Sequence, residues 1–166
     1  PLSLDHPMHK ANIKLNLSEL ERQRLRKHKV KISEILDYAT DELEVLLGSS
    51  AERAREIHAL AEFQQIPSIG IKFAEDLIFL GYYHIAELKG LSGAALVDTY
   101  EQKKGFWIDS CVEDQFRLAV HYANTGDTSN NLFDFSKERK AFRASEGYPE
   151  NRPKAASRDL TQKEKK

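Results

Sequence analysis

Six basic side chains, Arg22, Arg24, Arg26, Lys27, Lys29 and Lys31, fall within ten positions of this 166-residue chain. At 3.6 residues per helical turn they cannot all share one face, but Arg22, Arg26 and Lys29 do, being four and three residues apart. Such a face either neutralises phosphates or is the solvated surface of a helix. Lys137, Arg139, Lys140 and Arg143 form a second cluster with Phe142 nearby, and Lys163, Lys165 and Lys166 a third. Other reactive types are sparse. The histidines (His6, His9, His28, His58, His84 and His121) offer no two at a metal-ligand spacing on one expected helix, so no metal is expected. Cys111 has no histidine at a pairing spacing and is expected to be a small buried residue rather than a reactive thiolate; one cysteine excludes an internal disulfide. Phe106, Trp107 and Phe116 surround an expected helix start and read as core. There is no phosphate-cradling glycine-rich loop and no nucleophile elbow, and the carboxylates are scattered, so a non-catalytic protein is expected.

Helices must position these residues, because helix punctuation recurs while strand signals are nearly absent. Ser18 with Glu21 makes a capping box ahead of a helix to about Lys29. Ser33 can open a short helix to Tyr38, and a helix from Thr40 should stop at Gly48. Ser49 with Glu52 reads as a second capping box, for a helix to about Gln64. In Ile66-Pro67-Ser68-Ile69-Gly70-Ile71-Lys72, Pro67 disfavours helix before it and Gly70 permits unusual backbone, so two helices joined by three or four residues are expected. Further helices are expected near His84–Lys89, Ser92–Glu101, Ser110–Asn124 and Ser136–Ala144. A shift of 53 residues places Ile32, Glu34, Ile35 and Leu43 on Ile85, Glu87, Leu88 and Leu96, a weak internal repeat.

The formal net charge of -1 argues against an electrostatic binder until the charges are located. Residues 1–31 carry eight Lys/Arg and three Asp/Glu, so +5; residues 32–129 carry seven against seventeen, so -10; residues 130–166 carry ten against six, so +4. An acidic middle is flanked by basic ends. No apolar run reaches the roughly 18 residues of a membrane span, and residues 1–7, ahead of the single Met8, read as a vector remnant. A cytoplasmic protein is the expectation.

Pro67, Ile69, Gly70, Ala74 and Leu77 follow the pattern of a helix-hairpin-helix motif, with Ser68 where that motif usually has its first glycine. Together with Glu87-Leu88-Lys89-Gly90 and the block Asp109-Ser110-Cys111-Val112 through Ala123, they give residues 63–148 a resemblance to the bacterial pathogenicity-locus helix-hairpin-helix family, labelled mitomycin-resistance-like. Arg24–Gly90 also resembles tandem helix-hairpin-helix domains. The resemblance implies an all-helical fold and a connection to DNA. In DNA-binding members of that superfamily, amides at the start of the second helix contact phosphate; here these would be the amides around Ser68, Ile69, Gly70 and Ile71, with Lys72 adding charge. Such hairpins can also hold a monovalent cation on their carbonyls. Glu75 and Asp76, one turn on, would weaken phosphate binding.

The expected architecture is therefore an all-α bundle of seven or eight short helices from Ser18 to Ala144. It comprises a unit over residues 8–62, a unit over 63–148 and a basic flexible tail over 149–166. Two functions are expected in competition. One is weak, sequence-non-specific DNA binding through 68–72, with Arg22, Arg26, Lys29, Lys137, Arg139, Lys140 and Arg143 as auxiliary contacts. The other is a protein-interaction module whose acidic middle attracts a basic partner.

Overall fold

The computed structural model describes residues 12–163, whose named elements are all helices, with no strand among them. The expected vector remnant, His6, His9, Lys165 and Lys166 lie outside the described residues. The chain divides into two compact units, Pro1–His84 and Ile85–Lys166. That division falls after the 64–70 connection rather than at the 62/63 boundary drawn from sequence.

In the first unit, residues 12–18 run extended, with Ile13, Leu15 and Leu17 buried in alternation. The Gln64 side chain takes the place of a neighbouring strand, accepting from the Lys14 amide at 3.0 Å and donating to the Lys14 carbonyl at 2.7 Å. Helix α1 (Glu19–Lys27) starts at the expected capping box, Glu21 amide to Ser18 Oγ at 3.1 Å and Ser18 amide to Glu21 Oε1 at 2.8 Å. A 3-10 turn (Ile32–Asp37) leads into α2 (Thr40–Leu47), which ends as expected on left-handed Gly48. Arg24 donates to the Val45 and Leu46 carbonyls, placing a cation where the dipole of α2 is negative. Helix α3 (Ala51–Phe63) is capped by Ser50 rather than Ser49: the Arg53 amide donates to Ser50 Oγ, and Gly48 has already closed the previous helix. Helix α4 (Ile71–Phe79) completes the unit. Ile35, Leu43, Ile57, Leu60, Phe63 and Leu77 are fully buried between these elements, each contributing about 1.5–3 kcal/mol of transfer free energy.

The second unit opens with the pattern that follows α1 in the first, a 3-10 turn (Ile85–Leu88) and then a helix, α5 (Gly93–Lys104). Ile35 and Leu88, equivalent under the 53-residue shift, are both fully buried, so the local pattern of the repeat recurs in the two units. Helix α6 (Ser110–Thr125) packs on α5, a second 3-10 turn (Leu132–Phe135) follows, and α7 (Ser136–Glu146) and α8 (Ser157–Lys163) close the chain. A Cβ at Gly93 would lie 2.8 Å from the Cα and N of Arg117, so glycine sets how closely α5 and α6 approach.

The segment after Tyr148 is not the flexible tail expected from its composition. Arg152 pairs with Glu101 at 2.9 Å, the Trp107 amide donates to the Ala155 carbonyl, the Ser157 amide donates to the Trp107 carbonyl, and Ala156 is buried. The segment has few apolar residues to bury, so it is held by ionic and backbone bonds that hydropathy does not register.

Candidate nucleic-acid interface

Three 3-10-type bonds build the connection between α3 and α4: Gln65 amide to Glu62 carbonyl, Ile66 to Phe63, and Ile69 to Ile66. These make it seven residues long, 64–70, instead of the three or four expected. Ser68 takes the left-handed conformation at φ +69°, the role that a glycine ordinarily fills. Gly70, by contrast, is extended at φ -102° and ψ -174°, and a Cβ built on it would meet nothing within 4 Å. Neither backbone strain nor internal packing therefore requires glycine at 70, which corrects the expectation that its freedom shapes the turn.

Gly70 caps α4 without a side-chain bond, and the amides of Gly70, Ile71 and Lys72 have no acceptor among the described residues. They are the orphan donors of a helix start, at its positive end. The Ile69 amide is not available, since it donates to Ile66, and the Ile69 side chain is buried. The open set is thus Gly70–Lys72, with Ser68 supplying the turn. Lys72 is exposed, as is Glu75 one turn on.

The auxiliary cations differ in kind. Arg22, Arg26 and Lys29 are exposed; Arg22 and Arg26 line a shallow groove with Leu17, Leu25, Val30 and Ile32, and Arg26 makes a solvent-exposed pair with Glu19 at 2.9 Å. A pair that open to water leaves the cation free to exchange partners. Lys137 and Lys140 are exposed on α7. Arg139 and Arg143 are instead engaged within the fold. Arg139 binds Asp114 at 2.7 Å, and Arg143 binds Glu113 at 2.9 Å and Asp98 at 2.8 Å, with its remaining N–H groups on the Gly147 and Ala94 carbonyls. Sequence spacing put them on one helix with the lysines, but it cannot distinguish a solvated face from one turned onto buried carboxylates.

The pathogenicity-locus family (Cdd1) matches residues 56–141, from within α3 to within α7. The chain belongs to this family. The match includes the 64–70 connection, the Gly70–Lys72 amides and Arg139, and stops short of Arg143; α1 with its basic face lies outside it. Neither curated proteins nor solved structures give a match.

Other expectations resolve by burial. Phe116 is core, whereas Phe106 and Trp107 are half-buried, and the guanidinium groups of Arg152 and Arg158 lie over the Trp107 ring. Cys111 is exposed, not buried: it lies on the first turn of α6, where its side chain faces solvent. One cluster was missed. His58, Glu62 and His84 bring three donor atoms within 4.8 Å of one another. His58 and Glu62 are four apart on α3, a spacing visible in the sequence once carboxylates are counted with histidines. His84 reaches them only through the fold.

Proposed function

We propose that this protein binds DNA without reading sequence and without catalysis, using α3, the 64–70 connection and α4 as a helix-hairpin-helix unit whose Gly70, Ile71 and Lys72 amides take a phosphate. The observation that carries this reading is the set of three consecutive open amides behind a glycine that the fold itself does not need. A residue with a side chain at 70 would stand between an incoming phosphate and the amides, whereas glycine lets the backbone approach closely. Ser68 in the left-handed conformation supports the helix-hairpin-helix reading, since the usual motif has glycine there. Arg22, Arg26, Lys29, Lys137 and Lys140 are the cations left to add charge. Contacts of this type position a protein on the backbone and carry no base information. A link to DNA damage, or to mitomycin resistance, is suggested by the family resemblance alone, as is a bacterial source, while the cytoplasmic location proposed rests on the single cysteine and the lack of a long apolar run in the sequence.

Titration of a labelled duplex at about 50 and about 150 mM salt tests this, since phosphate contacts weaken with salt. Lys72→Glu is expected to weaken binding and reduce the salt slope by about 1. Gly70→Pro removes a donor and is expected to weaken it as well. Absence of binding at both salts, or binding that neither substitution changes, overturns the hairpin role.

A second reading has its own observation. On α2, Asp41, Glu42 and Val45 share an exposed face, and Val45 is 74% exposed. An apolar side chain bordered by carboxylates suits a basic amphipathic protein segment. Specific capture of one protein after nuclease treatment, abolished by Val45→Asp, would favour it.

A further inference from the structure

We propose that His58, Glu62 and His84 form a binding site for a divalent ion of the zinc class, a clasp between α3 and the chain that leaves α4. Two ligands are pre-set by helix geometry, His58 and Glu62 being successive on one face of α3. The third depends on how α4 ends. The Tyr82 amide donates to the Leu77 carbonyl and Gly81 is left-handed at φ +96°, so the chain doubles back after the helix. The Arg55 guanidinium then stacks on the Tyr83 ring at 3.7 Å, fixing the next residue over α3. His84 Nδ1 thereby lies 3.5 Å from Glu62 Oε1, and the His84 and His58 rings meet edge to face at 5.9 Å between centroids.

Two imidazoles and a carboxylate are a donor set that zinc accepts, with a fourth position left for water. Bonds of about 2.0–2.2 Å hold tetrahedral donors roughly 3.3–3.6 Å apart. The Glu62–His84 separation already matches, and the full set lies within 4.8 Å, with His84 half exposed on its outer side. A second observation points to a ligand. The Nδ1 atom of His58 is buried and has no hydrogen-bond partner among the described residues, a state that costs free energy and that a bound ion would relieve. Imidazole nitrogen favours zinc over magnesium or calcium, which take all-oxygen shells.

Zinc titration of the full chain, carrying His6→Ala and His9→Ala so that the terminal histidines do not contribute, decides the matter by calorimetry and thermal melting. The expected result is one Zn2+ per chain with a raised Tm, and no response to the same concentration of Mg2+ or Ca2+. Loss of an outer-shell partner of a metal site already costs about 10–100-fold in affinity. His84→Ala and Glu62→Gln should therefore weaken uptake by at least about 100-fold. His84 is exposed, so the metal-free Tm of His84→Ala should equal that of the parent, which separates lost coordination from lost folding. Co2+ loading should give the visible absorption of a tetrahedral site in the parent and not in His84→Ala. No zinc uptake, uptake undiminished in His84→Ala, or an equal response to Mg2+ overturns the proposal.

Discussion

The two units share a pattern, a 3-10 turn and a helix packed on a longer helix, yet they treat charge differently. The first unit is closed by aliphatic and aromatic side chains, and its principal ion pair, Arg53 with Glu21, sits at the margin where α3 meets the extended N-terminal segment. The second unit buries Glu101, Glu113 and Asp114 on α5 and α6, each matched by an arginine: Arg152, Arg143 with Arg117, and Arg139. Buried carboxylates are costly when unpaired, so the arginines from α7 onward are required where they stand. The difference shows that a charge pattern along a sequence is not a surface pattern. Part of the -10 middle and part of the +4 end cancel inside the second unit, which reduces both the acidic surface offered to a protein partner and the basic surface offered to DNA.

The sharpest way to break this comparison uses two arginines that sequence put in one category. Among the described residues Arg139 is the cation paired with Asp114, whose side chain is 2% exposed, so Arg139→Met leaves a buried charge supported there by Ser136 Oγ alone. A loss of about 3–5 kcal/mol is expected. Arg22→Met or Arg26→Met, on exposed side chains, should stay within about 0.5 kcal/mol. Urea unfolding measures both, and the single tryptophan, Trp107, reports the second unit by its fluorescence. Adding Asp114→Asn to Arg139→Met should restore most of the loss, because the unpaired charge is what costs. Equal losses at positions 139 and 26 would erase the distinction between the units.

A smaller effect separates two glycines. Gly93→Ala forces a Cβ onto the backbone of Arg117, for an expected loss of about 1–3 kcal/mol, whereas Gly70→Ala, in open space, should leave stability nearly unchanged. If Gly70→Ala also weakens duplex binding, the glycine serves a ligand and not the fold.

The helices themselves were legible in the sequence because their signals are local. The Ser18 box and the stop at Gly48 are each decided by a residue and the backbone three or four residues away. What was not legible depends on distant partners. Gln64 acting as a strand's neighbour, Arg152 anchoring the last segment across 51 residues, and His84 arriving over His58 all require the tertiary path. The candidate site was legible in part: the motif located the helix start, but only backbone geometry shows that the Ile69 amide is occupied and that left-handed strain sits at Ser68 rather than Gly70.

The smallest effect sharpens the comparison from the side of the first unit. The Arg53 guanidinium, bonded to both Glu21 oxygens at 3.0 Å, holds the Glu21 carboxyl below its ordinary value, and the Ser18 amide adds to this against the opposing pull of burial. A carboxyl with a lowered folded-state pKa binds fewer protons in the folded chain than in the unfolded one. Its stabilisation is therefore complete above the unfolded value, about 4.3, and is lost as pH falls through the lower folded value. Glu21→Gln should cost about 1 kcal/mol at pH 7 and flatten the dependence of first-unit stability on pH below about 4.3, with Trp107 fluorescence unchanged. Circular dichroism of acid unfolding at fixed urea reads this directly. If the acid limb keeps its slope in Glu21→Gln, the Arg53 pair is not what makes the first unit acid-sensitive. The contrast between an apolar first unit and an ionic second one would then be steeper than the ion pairs suggest.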